Sequence, residues 1–339
     1  MNTRSIPLSG APAAPAASAA ALRLRRDVLR HGVGIVLLLA VAWALPLFVT
    51  SGFTLNAVTM TLYAALLAQA WNILGGFGGQ FSFGHAVFFG TGAYAMAVLQ
   101  VRYGIHPWAA MGIALALGAL VGLVIGWLSF RYGLRGSYFA LATLAFAESF
   151  RILANNLDFT GAGVGMQLPL GEGLAQLQFD KAGALRFMAT LVAVGLAVHV
   201  WLRAGRFGAW LTAIRDNEDA ARALGVPVLP VKLGAIALSG ALMSAGGVFY
   251  VQAFHYIDPH LAYGPAVSVE ALVGAIVGGM GTVWGPLAGA AVLHLLGETT
   301  RNLFGGAPGI NLVIYGVLLV LMVTFAPRGL MGIFGGGRK

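Results

Sequence analysis

Long apolar stretches, separated by short polar or glycine-rich joints, run through the chain from residue 33 to residue 327. Ten of them approach the roughly 20 residues that a helix needs to cross hydrocarbon: 33–50, 53–74, 79–100, 108–130, 137–155, 185–203, 231–253, 268–281, 284–300 and 310–327. The third and eighth are short or broken by Gly, which predicts kinked or re-entrant segments. Upstream, residues 1–32 are rich in Ala, Pro and Ser and then basic. This predicts a disordered cytoplasmic tail leading into a start anchor, rather than a cleaved signal peptide. The pattern predicts an all-α polytopic membrane protein: a transmembrane domain over 33–327, with a short cytoplasmic C-terminal tail over 328–339.

Composition agrees. Only 9% of residues are charged, against ~25% in soluble domains, and mean hydropathy is +0.84. That excludes a soluble enzyme, a disordered chain and a fibrous repeat. Gly occurs 49 times, which suits helices that must approach closely in lipid. Cys is absent, so disulfides and thiolate chemistry are excluded. The net charge of +9 comes from scattered residues, so it predicts no nucleic-acid partner, and its sidedness is the useful signal. With a cytoplasmic N-terminus and alternating spans, 15 of the 20 Lys and Arg residues fall inside, including Arg131, Arg135, Arg206, Arg215 and Arg222. Four fall outside, and Arg151 lies in a span. The longest outside segment, 156–184, carries Asp158, Glu172 and Asp180 and predicts a small, partly structured cap.

Catalytic signatures are missing. Lys181, Lys232 and Lys339 are the three lysines and none follows Gly, so no P-loop can form. No His-Glu-x-x-His, Gly-x-Ser-x-Gly or dinucleotide-binding fingerprint occurs. His255, Asp258 and His260 cluster in an outside loop, either as plain loop residues or as metal ligands. We assign no catalytic residue and no metal site.

The inside segment 204–230 is the most informative. Trp210, Ala213, Ile214, Asn217, Ala220, Ala221 and Leu224 recur with helical spacing on one mostly apolar face. Arg215, Asp216, Glu218, Asp219 and Arg222 lie opposite, with Arg215–Asp219 and Glu218–Arg222 expected as i,i+4 pairs. Gly225, Pro227 and Pro230 end the helix. This predicts a short helix outside the membrane: an interfacial helix resting on membrane lipid, a plain linker, or a docking helix for a cytosolic partner.

AIRDNEDAARALG (213–225) resembles the "EAA" coupling loop of ABC importer permeases, through Glu218, Ala220, Ala221 and Gly225. NILGGFGGQFSFGHAVFFGTGAY (72–94), GLRGSYFALATLAFAESFR (133–151), SVEALVGAIVGGMGTVWGPLAGA (268–290) and FAPRGLMG (325–332) resemble the branched-chain amino acid ABC transporter permease family, most closely its LivM type. The likeness spans roughly residues 55–332. It implies an ABC importer permease bundle with a cytoplasmic coupling helix, in the bacterial inner membrane. The implied partners are a second permease subunit of LivH type, two cytosolic ATPase subunits holding ATP and Mg, and a periplasmic substrate-binding protein. No cofactor is implied in this chain. Arg215, Asn217 and Glu218 would position the coupling helix, Trp210, Ala220 and Ala221 would fill the ATPase groove, and Gly225 would set the exit turn.

Two further groups are candidates. Gln80, Ser82 and His85 lie in a glycine-rich segment, either lining a translocation path or serving close packing. Glu148 and Arg151 form an i,i+3 pair that either steadies the bundle or meets solute on that path. Glu298 is expected to pair with Arg301, whereas Glu270 has no close partner in sequence. The rival reading is a proton-coupled secondary transporter or channel using such carboxylates, which leaves the 207–225 helix without a role.

Overall fold

A computed structural model describes residues 14–171, 173–304, 310–326 and 328–334. The first half forms α1 (Ala14–Phe48), α2 (Gly52–Trp71), α3 (Ala86–Val101), α4 (Pro107–Arg131), α5 (Gly136–Asn156) and α6 (Lys181–Ala204). The second half forms α7 (Arg206–Asp216), α8 (Glu218–Ala223), α9 (Val228–Phe254), α10 (Pro259–Tyr263), α11 (Pro265–Gly278), α12 (Gly285–Phe304), α13 (Ile310–Phe325) and α14 (Gly329–Phe334). The fold is therefore an all-α polytopic bundle, as the apolar pattern predicts.

Two helices make the centre. α2 packs on α6, α11 and α12, and α9 packs on α3 and α4. Leu66, Leu67 and Trp71 of α2 and Ala235, Ile236 and Met243 of α9 are fully buried. α4 and α9 cross at glycines: a Cβ on Gly118 would lie 1.8 Å from Ser244 Oγ, and one on Gly240 would lie 2.5 Å from the Gly118 carbonyl oxygen. Small residues here let two backbones touch, which is the packing available to helices in lipid. At the periphery, α1 presents Val36, Leu37, Val41 and Leu47, and α5 presents Tyr138, Leu141 and Ile152. Such faces match hydrocarbon.

All ten predicted spans fall on helices, but not all are full spans. Among the described residues, seven helices are long and apolar enough to cross a membrane: Arg25–Phe48, Gly52–Phe77, Pro107–Arg131, Gly136–Asn156, Lys181–Ala204, Val228–Phe254 and Pro259–Gly278. Ala86–Val101 and Val313–Met322 are apolar but shorter. The predicted third span fails at its start, because α2 ends in a π-helical turn (Asn72–Phe77) and helix resumes only at Ala86. The predicted eighth span reaches its length only by joining α10 to α11 across Gly264. At the N-terminus, α1 begins at Ala14, inside the segment expected as a disordered tail, and α14 packs on α11 and α12 within the expected C-terminal tail.

The two ends of the bundle differ. One carries α7, α8, the 131–136 loop and the glycine turns near residues 76 and 280. The other carries the 157–180 segment, tied down by strand β1 (Met166–Gln167) pairing antiparallel with β2 (Tyr256–Ile257). Trp108 Nε1 donates to Leu174 O there at 2.8 Å. Glu172 lies outside the described residues. In the nearby loop, Asp258 caps α10 by accepting from the His260 and Leu261 amides.

Candidate functional site

Residues 206–223 form two helices rather than one. Asn217 adopts an extended backbone (φ −160°) and its Oδ1 accepts from the Ala220 amide at 3.0 Å, opening α8 as an N-cap. Glu218 and Asp219 then sit in the first turn of α8 and Arg222 in its last, matching the helix dipole. α7 buries Gly208, Leu211 and Ile214 against the bundle, and α8 buries Ala221. Trp210 is half-buried with the Arg206 guanidinium 5.4 Å from its ring. Ala220 is exposed and Leu224 is 86% exposed, so these members of the predicted apolar face point away from the bundle. Gly225 has φ +85° with open space around its Cβ position, so the residue is required by the turn and not by crowding.

Glu218 is the hub of this end. It accepts from Lys232 Nζ of α9 at 2.5 Å, and from Arg222 and Arg135, each at 3.0 Å. Arg135, which precedes α5, also reaches Asp219 at 3.3 Å. The hydrogen bond to Asp219 raises the Arg135 pKa further, keeping that arm charged. The Lys232 side chain is only 3% exposed, so a partner carboxylate is a physical requirement. The expected Glu218–Arg222 pair is present. The expected Arg215–Asp219 pair is not: Asp219 turns to Arg135, while Arg215 meets Asp216 and the bundle interior.

Arg215 Nη1 donates to Gly76 O, in the π-helical turn, at 2.9 Å. In the same turn, Asn72 is fully buried. Its Nδ2 donates to Thr282 O at 3.1 Å, and its Oδ1 accepts from the Gly281 amide at 2.8 Å. A Cβ on Gly76 would lie 1.9 Å from Asn72 Oδ1, so only glycine fits. Thus α7, the first glycine turn and the second glycine turn meet. Around them is a cavity of about 530 Å³ lined by Gly76, Phe81, Arg215, Met280, Thr282 and Arg328.

Gln80, Ser82 and His85 are buried and line none of this cavity. Ser239 gives its hydroxyl proton to Ala70 O at 2.6 Å, so it accepts from His85 Nε2–H at 2.9 Å, leaving Nδ1 to accept from Ser82 Oγ at 3.1 Å. Neighbouring backbone groups are also served by side chains: Thr143 accepts from Phe83 N, Ser268 from Ala86 N, and Trp71 Nε1 donates to Ser82 O. Non-helical backbone at membrane depth needs such protein partners, and these side chains supply several of them. Ser82 and His85 thus take part in the buried hydrogen bonding between α2, α3 and α9. Gln80 Nε2 donates locally to Gly78 O at 3.1 Å. Glu148 and Arg151 do pair, Nε to Oε2 at 2.9 Å, and Arg151 Nη1 also lies 3.2 Å from His260 Nδ1. They lie apart from the His85 group. The Glu298–Arg301 pair lies outside the described residues, because no Arg301 side chain is described.

The model of the family described as the branched-chain amino acid transport system permease component matches residues 53–323. The chain belongs to this permease family. It is 30% identical to the LivM high-affinity branched-chain amino acid transport system permease protein of Escherichia coli K12, over 87% of this chain and 73% of that protein. The corresponding LivM protein of Salmonella typhimurium is 28% identical over the same shares. A probable LivH permease of Methanocaldococcus jannaschii is 25% identical, covering 72% of this chain and 80% of its own. The ribose import permease RbsC of Escherichia coli K12 is also 25% identical, over 69% and 72%. The permease is of the LivM type: a multi-pass membrane transport component, not an enzyme. Sequence reasoning missed Asn72, Arg135 and Lys232 as members of the site. A lysine at the mouth of an apolar span and an asparagine before a glycine run were the available signals.

Proposed function

We propose that the permease is the membrane subunit of an ATP-driven importer of branched-chain amino acids, with α7 and α8 as the arm that receives force from an ATPase subunit. The basic-residue bias supports a cytosolic place for this arm and for both termini. Two ATPase subunits binding ATP and Mg dock from that side, a LivH-type permease pairs within the membrane, and a periplasmic binding protein delivers the solute. The exposed edge of α8, with Asp219, Ala220, Arg222 and Leu224, is the surface offered to the ATPase groove. Ala221 is buried in the bundle and takes a structural role instead.

The observation that carries this reading is the Arg215 to Gly76 hydrogen bond. It ties the arm to a glycine turn that Asn72 fastens to the second glycine turn. Glu218 ties the same arm to α9 and to the entry of α5. A rigid displacement of α7–α8 therefore moves the joints of broken helices, which is how packed elements switch between two discrete openings. The test is isolation from native membranes followed by reconstitution. The reading expects ATPase subunits to co-isolate and uptake to require ATP. Uptake by the chain alone, driven by a proton gradient, would refute it.

A further inference from the structure

At the end of the bundle opposite α7–α8, a second cavity of about 220 Å³ lies between the start of α2, the start of α6 and the end of α9. Its polar lining is Asn56, Thr59, Lys181, Gln252 and His255. Gln252 is 4% exposed, yet its Nε2 has no hydrogen-bond partner. Its Oε1 is taken by Gln178 Nε2 at 3.4 Å. His255 Nε2, also buried, is likewise without a partner. A buried donor left unmade costs about 1–3 kcal/mol, so Gln252 Nε2, with the unpartnered His255 ring nitrogen in the same lining, points to a polar group that occupies the cavity. Lys181 adds a positive charge, and no carboxylate lies within salt-bridge distance of it among the described residues. No Asp or Glu lines the cavity.

The rest of the wall is apolar, with Met60, Leu177 and Phe249 among its members. A larger cavity of about 780 Å³ shares Phe179 and His255 with it, and is also lined by Leu170, Gly171, Gly173, Gln178 and Asp180. Asp180 there is engaged, accepting from the Gly183 amide at 2.9 Å. The smaller and the larger cavity therefore adjoin at Phe179 and His255.

We propose that this smaller cavity binds the carboxylate of a small solute with an apolar body, through Lys181, Gln252 Nε2 and His255. The donors fix the anionic end, the apolar wall takes the tail, and the missing acid leaves an ammonium group unrecognised. This rests on the permease reading, because it places a solute subsite at the mouth that faces the delivering side.

The test uses the full chain in phosphatidylcholine nanodiscs and saturation-transfer NMR with two probes, isovalerate and 3-methylbutylamine. Isovalerate binds and the amine does not. Lys181→Met and Gln252→Leu each weaken isovalerate by about tenfold, the scale of a charge-assisted hydrogen bond, and Lys181→Arg retains it. Lys181 is exposed at the first turn of α6, so Lys181→Met keeps the wild-type unfolding curve. Equal binding of both probes, no binding of isovalerate, or indifference to both substitutions overturns the proposal. Replacing the lipid with phosphatidylglycerol leaves isovalerate bound; displacement by that lipid overturns the proposal in favour of a headgroup site. No ATPase subunit is needed, so failure here leaves the importer reading standing, and ATP-independent uptake leaves the pocket standing.

Discussion

Glu218→Gln isolates the charge at the centre of the arm while keeping the side chain's shape. Its partner Lys232 has a side chain 3% exposed and Glu218 itself is 13% exposed, so the pair is nearly dry. Removing one member of a buried pair costs about 3–5 kcal/mol, because the other charge is left uncompensated. The Phe130 ring, 5.0 Å from Lys232 Nζ, offsets part of this, by about 1 kcal/mol. The expected loss is therefore about 2–4 kcal/mol. The other two pairs weigh less: the side chains of Arg135 and Arg222 are 45% and 59% exposed, and exposed pairs contribute about 0–1 kcal/mol. Reversible unfolding of the lipid-embedded protein in a denaturing detergent titration measures the difference. Adding Lys232→Met to Glu218→Gln removes the orphaned cation, and the double variant is expected to regain most of the loss. A Glu218→Gln cost of about 0.5 kcal/mol, the value of a surface pair, would refute the reasoning. So would a double variant no more stable than the single one.

Three other outcomes follow from the geometry. Arg215→Ala removes the donor to Gly76 O, a charge-assisted bond worth about 1.5–3 kcal/mol; in the reconstituted importer, uptake falls while ATP hydrolysis continues, and equal loss of both contradicts the linkage. Gly118→Leu drives a side chain into Ser244 and costs at least the ~1–3 kcal/mol of core overpacking, whereas Gly112→Leu on the same helix meets open space and leaves the unfolding curve unchanged. Gly225→Ala costs about 1–2 kcal/mol through left-handed backbone alone, with Gly225→Asn milder, as read by the same titration.

What could be read in advance follows the range of the interaction. Apolar runs and their sidedness are local, so the helices and the arm between α6 and α9 were legible. The break at Asn217 was legible in principle, since an Asn followed by Glu218 and Asp219 is an N-cap signal, but the apolar periodicity runs straight through it. Partners distant in sequence were not legible. Arg215 is 139 residues from Gly76 and Asn72 is 210 from Thr282, and nothing local says which carbonyl a guanidinium will meet. Leu224 shows the limit of periodicity: its spacing puts it on one apolar face with Ile214, yet α8 starts anew after Asn217, and Leu224 is exposed where Ile214 is buried. For Ser82 and His85, glycine-rich context left path lining and close packing both open, and it could not name Ser239, 154 residues from His85, as a hydrogen-bond partner.

The absence of Cys from the chain makes the central claim directly measurable. Leu224→Cys places one thiol at the exposed tip of α8. The account predicts that a membrane-impermeant maleimide labels it in inside-out vesicles stripped of peripheral subunits, that intact cells protect it, and that restoring the ATPase subunits shields it. Labelling from the outside of intact cells, or labelling unaffected by the ATPase subunits, would contradict the account.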